Sequence, residues 1–221
     1  MNTKGHCFPK AIILQAVYFK LRFSLSYRDV EELLSIRGVK VDHATIQRWV
    51  FKFTPLVEQQ FRKRNKSVGK RWRMDETYIK VKGEWRYLYR AVDKEGNTVD
   101  FLLTKRRQRI SAQRFLIKAI ESNSKPELIN IDKSGANTAA IKLYNRRNYS
   151  NIKIRQCKYL NNSVEQDHRM IKWRIMLSLG FKEFESAKRT ISGIEVVRMI
   201  KKNQLLNPEN STYKSFISLA S

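Results

Sequence analysis

The sequence predicts a mixed α/β chain, with a helical N-terminal region followed by a five-stranded mixed sheet interleaved with helices. Three observations predict it. Apolar residues recur at helical spacing through residues 1–61. After a basic stretch ending at Lys70 the periodicity changes, and three runs rich in aromatic and β-branched residues follow. Beyond them, short apolar runs alternate with amphipathic ones, as when strands alternate with helices.

The helical region divides by its own punctuation. Pro9 suits the first turn of a helix carrying Ile12, Ile13, Ala16, Val17 and Phe19. Ser26 and Asp29 form a capping-box pattern ahead of Val30, Leu33 and Leu34, which supply one apolar face. Gly38 can end that helix in the left-handed conformation, and Asp42 is a good N-cap for the next. Ile46, Trp49, Val50 and Phe53 then follow at i, i+3, i+4, i+7 spacing, and Pro55 is expected to stop the run. Two short helices joined by a glycine turn read as a helix-turn-helix. The face opposite the apolar stripe carries His43, Thr45, Gln47, Arg48 and Lys52, which could meet base edges and phosphates. An ordinary helical hairpin with a wet polar face is the plainer alternative. Residues 62–70, from Arg62 to Lys70, read as a basic linker, either tracking a DNA backbone or merely solvated.

Residues 71–204 carry the sheet. Trp72–Val81, Trp85–Val92 and Thr98–Leu103 are separated by Gly83 and by Asp93–Asn97, which have turn chemistry, and so predict an antiparallel meander. Ser111–Glu121 is an amphipathic helix with Phe115, Leu116 and Ile120 inward. Leu128–Ile131 is a strand, Ala136–Tyr144 a helix and Ile152–Cys157 a strand. A last helical region spans Ser163–Gln204, with a break near Gly180. This order, β-β-β-α-β-α-β-α, matches a ribonuclease H-like core, in which the first and fourth strands lie side by side. Residues 205–221 form a tail without a recognisable motif.

Charge narrows the partners. Among 221 residues, Lys plus Arg total 45 against 20 acids, a formal net charge of +25 spread along the chain. A polyanionic partner, DNA or RNA, is the natural reading. Cys7 and Cys157 belong to no Cys-x-x-Cys or Cys/His cluster, which argues against a zinc site and fits a reducing cytoplasm. No signal-peptide pattern opens the chain, and no segment is long and apolar enough to span a bilayer.

Against that basic background three acids stand out. Asp75 lies in the first predicted strand, Asp132 ends the apolar run Leu128–Ile131, and Glu165 opens the helical stretch Val164–Leu179. Two strand-borne aspartates and a helix-borne glutamate suggest a two-metal phosphoryl-transfer site. At about 100° per residue, Glu165 and Lys172 share one helix stripe, while Val164, Ile171 and Ile175 form another that can bury. His168 falls at the border of the two stripes, suited to packing or to supporting the acids. Glu76 alternates to the face opposite Asp75, and Asp167 sits about 200° round the helix from Glu165, so neither is expected to be a primary ligand.

Met74-Asp75-Glu76-Thr77-Tyr78, Tyr87–Asp93, Tyr159-Leu160-Asn161-Asn162 and Val164-Glu165-Gln166-Asp167-His168 together resemble the DDE transposases of the bacterial insertion sequence six family. Ser24–Asp29 and Asp42–Val50 resemble that family's N-terminal helix-turn-helix, and Ser192-Gly193-Ile194-Glu195 its C-terminal helix. The resemblance implies that Asp75, Asp132 and Glu165 are the catalytic triad, holding two Mg²⁺ ions, with Mn²⁺ as a substitute. It implies that Lys172, matching the family's basic residue seven positions after the glutamate, grips a phosphate beside the scissile bond. It further implies binding to inverted repeats in double-stranded DNA, strand transfer to a target, a homodimer or larger assembly, and work on bacterial DNA in the cytoplasm. The chain departs from the pattern in Ile131–Asn137, which keeps Asp132-Lys133 but not the proline and aromatic that usually follow. An inactive transposase that only binds DNA, a ribonuclease H-like nuclease without strand transfer and a helix-turn-helix regulator are the rival readings.

Overall fold

The computed structural model describes residues 7–132, 135–177 and 180–220. The chain forms two compact units. One comprises residues up to Lys66 together with Arg174 onward, and the other is Ser67–Trp173.

In the first unit, α1 (Lys10–Arg22), α2 (Tyr27–Ile36) and α3 (His43–Lys63) pack with α7 (Phe184–Lys201) and α8 (Thr212–Ser218). The local stop and start signals work as their chemistry dictates. Asp29 N–H donates to Ser26 Oγ at 3.0 Å, and the Asp29 carboxylate accepts from Ser26 N–H at 2.6 Å, completing the capping box. Gly38 takes φ +77°, and Asp42 caps α3 by accepting from Thr45 N–H at 2.9 Å. Ile46, Trp49, Val50 and Phe53 are buried, as are Val30 and Leu34, whereas Leu33, expected beside them, is exposed.

Pro55 does not stop α3, which continues two turns beyond it to Lys63. Proline has no N–H to offer the carbonyl four residues back, which here is Phe51. Arg189 on α7 supplies the missing donor, its Nη1 reaching Phe51 O at 2.8 Å with the guanidinium 3.7 Å from the Phe51 ring centroid. The expected linker is likewise structured in its first half. Arg62 and Lys63 belong to α3, Arg62 pairs with Glu58 at 2.8 Å, and Lys66 N–H donates to Gln204 O at 2.8 Å. The C-terminal tail folds too: Phe216 and Leu219 are buried, and Tyr18 meets the rings of Tyr213 and Phe216. Thus α7, placed with the sheet by sequence order, buries Ile191 and Val197 in the unit it shares with α1 and α3, because its apolar residues find their complement there.

The second unit is built on β1 (Arg71–Val81), β2 (Glu84–Asp93), β3 (Thr98–Thr104), β4 (Leu128–Ile131) and β5 (Lys153–Gln156) in the order β3-β2-β1-β4-β5. The first three strands pair antiparallel, and β4 is parallel to both β1 and β5. Helices α4 (Arg109–Ser122) and α5 (Gly135–Arg147) bury one core with the sheet, where Phe115, Leu116 and Ile141 meet Trp72, Met74, Ile129 and Ile131. A single 3₁₀ turn, Lys158–Asn161, leads into α6 (Asn162–Leu177), along which the chain passes into the other unit. Burial along β1 changes parity at the centre. Trp72 and Met74 are buried before it and Thr77, Ile79 and Val81 after it, leaving Asp75 and Glu76 half-buried at the crossover.

Candidate active site

The register explains how residues distant in sequence converge. Arg71, Trp72 and Arg73 pair in parallel with Leu128, Ile129 and Asn130, and the same count carried forward sets Asp75 beside Asp132. The side chain of Asn130 ties the next element to this pair. Its Nδ2 donates to Cys157 O at 3.0 Å and to Asn161 Oδ1 at 2.6 Å, while Asn161 Nδ2 reaches Met74 O at 3.5 Å. The 3₁₀ turn is thereby fastened to the two central strands immediately before α6, whose first turn presents Glu165. A carboxylate there also complements the positive end of the helix dipole.

The result is a cleft of about 600 Å³ lined by Asp75, Asp132, Glu165, Glu76, Tyr78, Arg107 and Asn161. Burial, reinforced by the charges of Glu76, Asp132 and Glu165 and opposed by a backbone N–H bond, pushes the Asp75 carboxyl up to about 7. His168, buried on the next turn of α6, brings Nε2 within 3.6 Å of Asp75 Oδ2, the supporting position its border stripe suggested. Val164, Ile171 and Ile175 bury while Glu165 and Lys172 stay exposed, so the two helix stripes separate as expected. Lys172 is not among the residues lining the cleft.

The two rejected acids have other work. Asp167 pairs with the fully buried Arg90 of β2 at 3.3 Å. Glu76 lines the same cleft as Asp75 despite its opposite parity, because both sit at the crossover of β1. Its carboxylate is occupied by Asn137 Nδ2 at 2.9 Å and Arg107 Nη2 at 2.5 Å. Arg107 is one of several basic residues just after β3, and its pairing with Glu76 is what distinguishes it. Arg90 gave no signal of its own in the sequence. Lys133, which keeps the family pattern, and Ser134, where the departure begins, lie outside the described residues.

Carboxylate oxygens are hard donors, and an aspartate whose proton is retained near neutrality by burial and by neighbouring acids is a group that a hard divalent cation would stabilise in its ionised form. Among the described residues no three acid, histidine or cysteine side chains converge closely enough to enclose an ion unaided. Two aspartates and a glutamate opening onto one cleft are nonetheless an all-oxygen donor set of the kind that suits a hard divalent cation, whose remaining ligands are waters or phosphate oxygens.

In the other unit, His43 is engaged by Glu31 through both its backbone N–H, at 3.1 Å, and its Nδ1, at 2.9 Å. Thr45 donates its hydroxyl to Asp42 at 2.6 Å and accepts from Arg48 Nη2 at 2.7 Å. Gln47, Arg48 and Lys52 are exposed on α3.

A sheet of this order, with aspartates on two adjacent parallel strands and a glutamate on the helix after the last strand, defines a ribonuclease H-like protein of the integrase-core class. The fold agrees with a chain of the simian T-cell lymphotropic virus intasome in complex with PP2A regulatory subunit B56 gamma, at TM-score 0.50 and 17% identity over 69% of this chain and 56% of that one. Residues 69–204 match the family model of the DDE domain. The chain is 41% identical over 202 residues to the transposase for insertion sequence-like element IS431mec of Staphylococcus aureus strain Mu50, covering 89% of this chain and 88% of that protein. Identity and coverage are the same for the Staphylococcus aureus transposase for insertion sequence element IS257 in transposon Tn4003. The chain belongs to the insertion sequence six family of DDE transposases. It is a transposase with an integrase-type catalytic core, of the nuclease and strand-transferase class, and so acts on DNA. No helix among the described residues is long and apolar enough to cross a membrane.

Proposed function

We propose that Asp75, Asp132 and Glu165 are the catalytic carboxylates of this transposase and would hold two Mg²⁺ ions, or Mn²⁺ in their place. The observation that carries the reading is the opening of all three, from β1, the end of β4 and α6, onto one cleft. Bound there, the ions would supply Lewis-acid activation of the attacking oxygen and charge stabilisation of the leaving oxygen. The chain's own groups do the rest. The buried Arg90–Asp167 pair holds α6 against the sheet, keeping Glu165 opposite the aspartates. His168 supports Asp75, and Glu76 aims the Arg107 guanidinium along the cleft. Lys172, on the Glu165 stripe, grips a phosphate beside the scissile bond. Water first cleaves the phosphodiester at an element end, leaving a 3′ hydroxyl. That hydroxyl then attacks a target phosphodiester, joining the strands as the target's own 3′ oxygen departs.

Recognition of the inverted repeats falls to α3, entered through the Gly38 turn. Gln47 and Arg48 are the side chains best presented for bases and phosphates, with Lys52 and Thr45 beside them and His43 oriented by Glu31. Two element ends must be joined in one event, which calls for a homodimer or larger assembly working on double-stranded DNA in the bacterial cytoplasm.

The test is incubation of purified protein with Mg²⁺, labelled element-end DNA and a supercoiled target, beside Asp132→Asn and Glu165→Gln. Joined products that vanish in both folded variants are expected. Specific end binding with no nicking or joining, in Mg²⁺ or Mn²⁺, would instead establish a DNA-binding protein that no longer cuts.

A further inference from the structure

The sheet face that carries the acids continues toward the start of β1 as a basic surface. Side chains two apart on a strand share a face, so Arg71 and Arg73 lie on the Asp75 side of β1. The register extends the row across the sheet: Arg73 pairs with Asn130, and Asn130 with Arg155. These residues, with Lys94 from the β2–β3 turn and Leu128, line a pocket of about 170 Å³ into which no acid opens. Arg71, Lys94 and Arg155 are exposed, and among the described residues none of the three makes an ion pair. Glu127, immediately before β4, is already paired with Lys70 at 3.5 Å. The Asn130–Asn161 hydrogen bond stands between this pocket and the acidic cleft, since Asn130 lines the pocket and Asn161 the cleft.

Arg71, Lys94 and Arg155, gathered on one exposed surface without an acidic partner among the described residues, repel one another, and a bound anion would relieve that repulsion. Arginine forks match phosphate geometry, and a strand of nucleic acid offers a phosphate at every nucleotide. Arg73 and Asn130 lie two residues, roughly 7 Å, before Asp75 and the Asp132 position along their parallel strands. A DNA backbone with one phosphate at the acids can therefore place a neighbouring one in the basic pocket.

We propose that Arg71, Arg73, Lys94 and Arg155 form a phosphodiester-binding site, a second hold on the DNA backbone distinct from the acidic cleft. The inference rests on the reading of the chain as a transposase that acts on DNA, and extends it. Because only backbone is touched, the site adds affinity and positioning without sequence preference.

The experiment measures binding of the full chain to fluorescent duplexes in EDTA over a range of salt, so that a failure of the catalytic reading leaves the readout untouched. The probes are a random-sequence duplex and one ending in the terminal repeat that flanks the coding sequence. In Arg71→Gln/Arg155→Gln the slope of log affinity against log salt should fall in magnitude by about 2, at roughly 0.9 for each phosphate no longer neutralised. Arg71→Lys/Arg155→Lys keeps the charge and should retain the slope, while Lys142→Gln, exposed on α5, which packs on the other face of the sheet, should leave it unchanged. A reduced slope on the random duplex assigns the pocket to target DNA, and a reduction only on the repeat-bearing duplex assigns it to the element end. A folded Gln variant with the wild-type slope on both duplexes overturns the proposal. A wild-type chain that binds neither duplex overturns it together with the functional reading.

Discussion

Arg90 on β2 and Asp167 on α6 form a buried ion pair, with 3.3 Å between Nη1 and Oδ2 and the Arg90 side chain wholly inaccessible to solvent. Arg90 is also the cross-strand partner of Asp75, so the strand residue beside one candidate catalytic acid anchors the helix that presents another. A charge taken fully from water is tolerated only if it is paired, which makes this ion pair a fixed point between sheet and helix.

Removing one partner should therefore cost more than removing both. Arg90→Leu leaves Asp167 buried beside an apolar side chain instead of a cation, and is expected to lower stability by about 3–5 kcal/mol. Arg90→Leu/Asp167→Leu should recover much of that loss, because two apolar side chains need no partner. Urea unfolding of the four members of the cycle decides the matter; additive losses would show that the pair is not coupled. Strand joining should remain impaired in the double variant even where stability returns, since the helix has lost its directional tether.

The Asp75 carboxyl, raised from its ordinary 3.8 to about 7, holds its proton more tightly in the folded chain than in the unfolded one. Its contribution to stability is complete below about pH 4 and is lost as pH rises through about 7. Metal-free protein should accordingly be less stable at pH 8 than at pH 5 by an amount on the order of a few kcal/mol from this group. Asp75→Asn should abolish that share of the slope in denaturant titrations at the two pH values. Mg²⁺, which needs the ionised form, should restore wild-type stability at pH 8 and leave the variant unmoved. Glu76→Gln removes the largest neighbouring charge acting on Asp75, so the midpoint of the Asp75 titration should move down and the stability loss should level off at lower pH.

What the sequence discloses about this chain is what local chemistry encodes. Ser26, Gly38 and Asp42 mark their helix ends through bonds made within a few residues, and Asp75 and Asp132 are visible because acids interrupt otherwise apolar strand patterns. Val164, Ile171 and Ile175 declare the buried stripe of α6 by spacing alone. Relationships closed by distant residues are not encoded that way. Nothing near Arg90 announces Asp167, Arg107 is one cation in a basic run until Glu76 selects it, and the partner of α7 is settled by packing rather than by order along the chain.

Gly193 shows how close that packing is. A Cβ at this position of α7 would lie 2.6 Å from Leu21 Cδ1 and 2.7 Å from Thr54 Cγ2, both on fully buried side chains. Alanine should gain about 1 kcal/mol in helix propensity. Overpacking a well-filled core costs about 1–3 kcal/mol, and the Leu21 and Thr54 side chains that must shift are both fully buried. Gly193→Ala is expected to be destabilising overall, and a thermal melt above the wild-type midpoint would show that α1, α3 and α7 can separate freely.

Pro55 and Arg189 supply the sharpest test, because the cost of one depends on the presence of the other. With proline in place, Phe51 O relies on the Arg189 guanidinium, and Arg189→Ala removes a charge-assisted bond worth about 1.5–3 kcal/mol along with its stacking on the Phe51 ring. Pro55→Ala restores the backbone N–H that α3 would ordinarily direct at that carbonyl. In the Pro55→Ala background, Arg189→Ala should therefore cost about 1 kcal/mol less than in the wild type. Denaturant unfolding of the wild type, both single variants and the double variant measures this coupling directly. Equal costs in the two backgrounds would mean that Phe51 O is satisfied by water, and that α3 passes through Pro55 without help from α7.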